Sequence, residues 1–248
     1  MSNNILPVKG THDIFGLEID KYNFIIDKFY KVSAKFNFKT IQTPIIEHQD
    51  LFSRSVGEDT DIVSKEMYSF FDKGDTAICL RPEATSSLAR FAASNYQSGQ
   101  MKLSTHGPMF RRERPQKGRY RQFHQINIEN IGEKSPYIDF EIILIASTIL
   151  KELGIQKDQY KLFINSLGSP EDQKNYSKIL GEYLHQHKKN LSETSIERLE
   201  RNPLRILDSK EESDKSILLN APKINEHLSK ESQNFFNEIK LMLSDNNI

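Results

Sequence analysis

Apolar positions recur at helical spacing from Glu18 to Phe36, where Tyr22, Ile25, Ile26, Phe29, Val32 and Phe36 form one stripe and Asn37 stops the run. This predicts a long amphipathic helix. Phe38 to Thr43 then alternates as a strand does, and Pro44 must end it because proline brings no N–H to a ladder. Leu51 to Lys65 is polar, with an acidic cluster at Glu58, Asp59 and Asp61, and predicts a short helix followed by a loop. Met67 to Asp72 and Thr76 to Leu80, joined by Lys73-Gly74-Asp75, read as a β-hairpin with a glycine-containing turn. This hairpin delivers Arg81-Pro82-Glu83-Ala84-Thr85 to a strand end, where a second helix, Thr85 to Asn95, begins. Thr85 is expected to cap that helix, and Glu83 to favour the positive end of its dipole.

The pattern breaks down informatively between Gly107 and Glu129, GPMFRRERPQKGRYRQFHQINIE. Arg111, Arg112, Arg114, Lys117, Arg119 and Arg121 fall within eleven residues, opposed by Glu113. From Tyr120 to Asn130 the residues alternate, with Gln122, His124, Ile126 and Ile128 on one face of a strand and Arg121, Phe123, Gln125, Asn127 and Glu129 on the other. Ile126 and Ile128 are expected in the core, with His124 beside them as a structural histidine making a core hydrogen bond. The other face carries a cation, an aromatic, amides and a carboxylate where a covered strand would carry Val or Ile. It is either a solvated edge or a ligand site.

Ser135-Pro136 opens a predicted helix that runs to Leu153 and is closed by Gly154, and Tyr160 to Asn165 reads as a short strand. From Ser166 the composition shifts to Lys, Glu, Asn and Ser, with helical spacing at Pro170 to His187, Ser192 to Arg201 and Ser229 to Leu243. The expected division is a core at 1–165 and a small helical subdomain at 166–248.

Composition narrows the chemistry. Among 248 residues, 34 Lys and Arg balance 34 Asp and Glu, so nucleic-acid contact must be local to the basic hairpin. The single cysteine, Cys79, excludes an internal disulfide and a Cys-based zinc site and fits a reducing compartment; it is expected as a small buried hydrophobe. The start has no apolar signal core, and the longest apolar run, Ile142 to Leu150, is too short for a bilayer, so a soluble cytosolic protein is expected. His185 and His187 point to different helix faces and make a poor metal pair. With no G-x-x-x-x-G-K-[ST] and no G-x-G-x-x-G, any nucleotide must be held by side chains. Arg111 is best placed to grip phosphate, and Phe123 offers a stacking surface. Phe123, Gln125 and Glu129 span roughly 20 Å at about 3.3 Å per residue, enough for a nucleotide and an amino acid end to end. Glu129 would then meet an ammonium or imidazole N–H, with Glu83 as a second anion. No nucleophile with a partner base stands out, so the fitting chemistry is electrostatic, arginines neutralising charge in an in-line attack on phosphate.

Six stretches, KGTHDIFG, Thr40 to Pro44, GEDTDIVSKEMYSF, LRPEAT, GPMFRRERPQKGRYRQFHQ and NPLRILDSK, resemble landmarks of the class II aminoacyl-tRNA synthetases, most closely the histidyl-tRNA synthetase family, over essentially all 248 residues. The resemblance implies an α+β fold with the class II antiparallel sheet flanked by helices and, after Ser166, a helical insertion. It implies a first class II motif at 18–44 that forms a homodimer interface, and a second motif at 107–129. There Arg111 would hold the ATP α-phosphate, Glu113 approach the adenine amino group, Phe123 stack on the ring, and Arg119 face the triphosphate or the tRNA acceptor end. Glu83, Ala84, Thr85 and Gln125 would surround the histidine ammonium and Glu129 the imidazole, with Arg111 and Gln125 closest to the chemistry. Histidine, ATP with its Mg2+ and tRNA(His) are the implied partners, for histidyl-adenylate formation followed by transfer to tRNA. Ala84 and Asn127 stand where family members often have glycine, which bears on the fit around the amino acid. The family's third motif, second histidine-binding element and anticodon-binding domain are expected beyond Ile248, leaving this chain impaired alone. The alternatives are a synthetase-like histidine sensor that regulates another enzyme and, third, an electrostatic nucleic-acid binder.

Overall fold

Phe29 and Val32, the deepest residues of the first helical stripe, fix where α1 (Leu17–Lys35) packs: each is 1% exposed against Phe38, Ile145 and Ile149. The computed structural model describes residues 5–57 and 60–248, so Glu58 and Asp59 of the expected acidic cluster lie outside the described residues. Ile25 departs from expectation. It is 39% exposed, as is its neighbour Phe24 at 50%, because the core takes the Phe29–Val32 side of the helix.

The structure forms two compact units, one made of residues up to Lys134 with Glu141–Tyr160, the other of Ser135–Phe140 with Lys161–Ile248. In the first unit, β1 (Lys39–Thr40) is far shorter than the alternation at 38–43 suggests. The reason is a tertiary contact: the Thr43 and Pro44 carbonyls accept hydrogen bonds from Arg81 instead of from a neighbouring strand. Downstream come β2 (Ile46–His48), α2 (Gln49–Val56), β3 (Tyr68–Phe71), β4 (Ala77–Leu80), α3 (Thr85–Asn95), β5 (Met101–Phe110) and β6 (Gln122–Ile131). β2, β4 and β3 form one antiparallel sheet; β1, β5 and β6 form another, in which only the β1–β5 pair is parallel. The first sheet buries Cys79 with Phe52 and Met67, and burial, then the nearby Glu47 carboxylate, pushes the Cys79 thiol up to about 11. It is an inert packing residue.

α4 (Pro136–Glu152) follows β6 and contributes Ile145 and Ile149 to the core around α1. The expected strand at Tyr160–Asn165 is absent, since among the described residues no strand lies alongside to complete a ladder.

The second unit is helical: α5 (Pro170–Gln186), α6 (Glu193–Arg201), α7 (Glu212–Leu218) and α8 (Lys230–Asp245), with a 3-10 turn at Pro203–Asp208. α7, too short and charged to show a period in sequence, was not expected. Tyr176, Leu180, Leu184, Leu199, Ile206 and Ile217 lie in its core. Two buried aspartates hold the helix starts. Asp172 accepts from the Ser169 and Ser229 amides, both at 2.8 Å, and from the Ser232 hydroxyl at 2.5 Å. Asp214 accepts from the Ser192 amide at 2.8 Å and from the hydroxyls of Ser192, Ser195 and Ser209.

Candidate functional site

The face that fails the core pattern is built by two long strands in register. Phe123, Gln125, Asn127 and Glu129 of β6 stand opposite Met109, Gly107, Thr105 and Leu103 of β5. The β5 residues are small or apolar and buried, making a floor; the β6 residues are half-buried. Sequence misassigns the reverse face in part. Ile126 is 39% exposed, and His124 is exposed with its ring edge-on to Tyr22 of α1 at 4.9 Å and no hydrogen bond among the described residues; Ile128 is the residue of this face that packs against the core around α1.

The start of α3 meets this face. Glu83, not Thr85, caps the helix: its two carboxylate oxygens accept from the amides of Thr85 at 2.6 Å and Ser86 at 2.9 Å. Satisfying orphan amides at the positive helix end is what an acid there does best. Thr85 is thereby released to donate its hydroxyl to Glu129 Oε1 at 2.7 Å. Burial pushes the Glu129 carboxyl above the usual carboxylate range, the Thr85 hydrogen bond pulls it back, and the Glu83 charge adds to the rise. Ala84 is fully buried at the helix start and presents no surface in this conformation. Gln125 Oε1 and Asn127 Oδ1 are buried and have no hydrogen-bond partner among the described residues. A buried acceptor left unpaired costs about 1–3 kcal/mol.

Arg81, which the sequence did not single out, underlies the arrangement. It is 2% exposed. Its Nε donates to the Pro108 carbonyl at 3.0 Å, and Nη1 to the Thr43 carbonyl at 3.0 Å and hydroxyl at 2.9 Å. A side chain on Gly107 would collide with the guanidinium, so glycine is required there to admit the cation beside Gln125. One arginine thus ties the segment ending at Pro44, the central hairpin and the Pro82-Glu83 turn together. The glycine in the strand was the available signal, since an isolated strand glycine marks close approach of another group.

At the end of β5, Arg111 donates Nε to the Pro82 carbonyl at 2.9 Å and lies over the Phe123 ring at 5.2 Å. The Nε contact leaves the Nη edge of the fork for an anion, with the Glu66 carboxylate near enough to feel the Arg111 charge. In the loop, Glu113 pairs with Arg119 at 3.2 Å, so two residues expected to face nucleotide hold each other here. Gly10 anchors the loop from the other side: with φ +84 it offers its carbonyl to the Arg121 amide at 2.7 Å, and a Cβ there would strike Arg121 and Pro115. His12 stacks near Tyr120 at 4.6 Å. Among the described residues no group of three or more His, Cys, Asp or Glu side chains is placed to hold a metal, and no helix is long and apolar enough to cross a membrane.

The hairpin places an arginine and an aromatic at one end and a carboxylate at the other, with a helix start beside it, which is the arrangement the class II resemblance implies. Residues 10–169 match the family model described as histidyl-tRNA synthetase. The chain is 46% identical over 238 residues to a histidine–tRNA ligase of Novosphingobium aromaticivorans, covering 94% of this chain and 57% of that protein. It is 47% identical over 244 residues to a chloroplastic histidine–tRNA ligase of Gracilaria tenuistipitata, covering 98% and 58%. The solved structure of apo Staphylococcus aureus histidyl-tRNA synthetase superposes with a TM-score of 0.77 at 31% identity, covering 98% of this chain and 55% of that one. The chain belongs to the histidyl-tRNA synthetase family. It spans a little over half the length of the relatives it matches.

Proposed function

We propose that this chain carries the histidine- and ATP-binding face of a histidine–tRNA ligase, with Glu83, Thr85, Gln125 and Glu129 around the amino acid and Arg111, Glu113, Arg119 and Phe123 around the nucleotide. The observation that carries the reading is the Thr85–Glu129 hydrogen bond at 2.7 Å, which brings the start of α3 and Glu83 against the half-buried carboxylate of β6. A carboxylate pair at Glu83 and Glu129 is complementary to a cationic amino acid with several N–H groups, which histidine is. Arg111 supports ATP at the other end, its guanidinium fixed against Phe123 and Pro82 with the fork outward. The histidine carboxylate attacks the ATP α-phosphorus, the bond to the β,γ-phosphates breaks, and pyrophosphate leaves; Arg111 offsets charge on the α-phosphate. The histidyl group then passes to the terminal ribose hydroxyl of tRNA(His), releasing AMP. Mg2+ would accompany the ATP phosphates and offset their charge.

The division into a catalytic core at 1–165 and a helical insertion at 166–248 belongs to the same reading. So does a homodimer through 18–44, supported by the exposure of Phe24 and Ile25 on α1. So does a cytoplasmic setting, supported by a lone, buried thiol. The sensor alternative has less support: relatives named as ligases match nearly the whole chain at 46–47% identity. Calorimetric titration with histidine and, separately, with ATP and Mg2+ tests the proposal. Saturable binding of both is expected, with histidine binding lost in Glu129→Gln and ATP binding weakened in Arg111→Ala; absence of both ligands from the wild-type chain overturns it.

A further inference from the structure

The turn ahead of α1 has no part in the reading above, yet it meets three consecutive residues at the neck of the basic loop. The Gly10 carbonyl accepts from the Arg121 amide at 2.7 Å and lies 3.4 Å from the Gln122 amide, and the His12 ring is 4.6 Å from that of Tyr120. The turn is itself held at both ends. The Val8 carbonyl accepts from the Thr11 amide at 2.9 Å and from the Thr11 hydroxyl at 2.7 Å, and His12 Nε2 lies 3.8 Å from Glu18 in the first turn of α1. Gly10 takes the turn position at which a positive φ, here +84, favours glycine.

Arg121 passes this contact on in two directions. Its carbonyl accepts from the Arg111 amide at 2.9 Å, and its Nε donates to the Glu113 carbonyl at 3.3 Å. A Cβ on Gly10 would come to 2.7 Å from Arg121 Cγ and 3.0 Å from Pro115 Cγ, so the turn fits against the stem of the arginine that links Arg111 to Glu113. What is fixed at Glu113 is its backbone; its carboxylate pairs with Arg119 at 3.2 Å. The far end of the face has no such link, since Glu83 and Glu129 are tied to the start of α3. A loop ordered before its ligand arrives does not lose that freedom on binding.

We propose that the 8–12 turn is a positioning element for ATP, with Gly10 and His12 as positioning residues that preset the neck of the 111–121 loop and, through Arg121, the backbones of Arg111 and Glu113. The proposal rests on the ATP reading of Arg111 and Glu113.

The test is a calorimetric titration of ATP with Mg2+ and, separately, of histidine into the wild-type chain, Gly10→Ala, His12→Ala and His12→Phe, with a melting curve of each ligand-free protein. Gly10→Ala is expected to bind ATP about tenfold more weakly, a change of about 1.4 kcal/mol, with histidine affinity unchanged. His12→Ala should lose about threefold for ATP, the worth of one ring pair, and His12→Phe, which keeps a ring against Tyr120, should recover the wild-type value. A role confined to stability would lower the melting point and leave this split between the two ligands unmade. Unchanged ATP affinity in either folded alanine variant overturns the proposal, as does an equal loss for ATP and histidine. If Gly10→Ala does not fold, the His12 pair decides by the same criteria. A wild-type chain that binds histidine but not ATP overturns the ATP reading and this proposal with it.

Discussion

The two units bury carboxylates in opposite ways. Asp214, fully buried among helix starts, has four donors from Ser192, Ser195 and Ser209. Glu129, on the β6 face, has one, from Thr85, and neighbours two amide oxygens with none. Burial alone would push Asp214 up; the serine hydrogen bonds outweigh it and hold the carboxyl at about 2. At Asp172 the Ser232 hydroxyl, then the Ser169 and Ser229 groups, likewise hold the carboxyl well below the usual range. At Glu129 burial wins and the carboxyl is pushed up. A saturated buried carboxylate is a structural joint, whereas an undersaturated one keeps acceptor capacity that the fold itself does not use.

The largest expected break of this contrast is Asp214→Ala, which strands a buried amide and three hydroxyls. It should cost about 3–4 kcal/mol and remove amide protection throughout α5 to α8 while sparing β5 and β6, as read by hydrogen exchange. Equal loss in both units would mean that Asp214 is no local joint. Gly107→Ala comes next. It drives a methyl into the Arg81 guanidinium and should destabilise the first unit by about 3 kcal/mol in urea unfolding; an unchanged midpoint would show that Arg81 can leave without consequence.

The pH dependence has opposite signs at the two sites. Asp214 falls from about 3.9 when unfolded to about 2 when folded, so its contribution, about 2 kcal/mol, is present above pH 4 and lost as pH drops from 4 to 2. Glu129 is raised, so its ionised form disfavours folding, and its contribution declines as pH rises through the ordinary carboxylate range. Urea midpoints of the wild type and Asp214→Asn, followed from pH 6 to 2, should converge at the acid end; parallel curves would contradict the assignment. The smallest effect is Glu129→Gln without ligand, expected within about 0.5 kcal/mol of the wild type because Thr85 can still donate to the amide oxygen and a buried charge is removed. A loss above about 2 kcal/mol would make Glu129 a joint like Asp214.

Much of this was legible beforehand, for local reasons. The helix at Thr85–Asn95, the hairpin of β3 and β4 and the polar face of β6 follow from turn chemistry and period. What sequence missed depends on tertiary partners. Thr43 alternates like a strand residue, yet its carbonyl goes to Arg81, 38 positions away. Tyr160–Asn165 has a strand pattern but no neighbouring strand. Ile126 and His124 share a face with Ile128, but His124 meets α1 only through the Tyr22 ring and both residues stay exposed. Thr85 has the residue type of a cap, and only the presence of Glu83 two residues earlier, facing the Thr85 and Ser86 amides, frees it for Glu129.

The most direct measurement is hydrogen–deuterium exchange of the wild-type chain with and without saturating histidine. The account predicts new protection in the Glu83–Leu88 and Phe123–Glu129 segments and no change at the helix starts held by Asp172 and Asp214. Protection that leaves the β6 face untouched, or that appears instead at Ser169, Ser192 and Ser229, would contradict it.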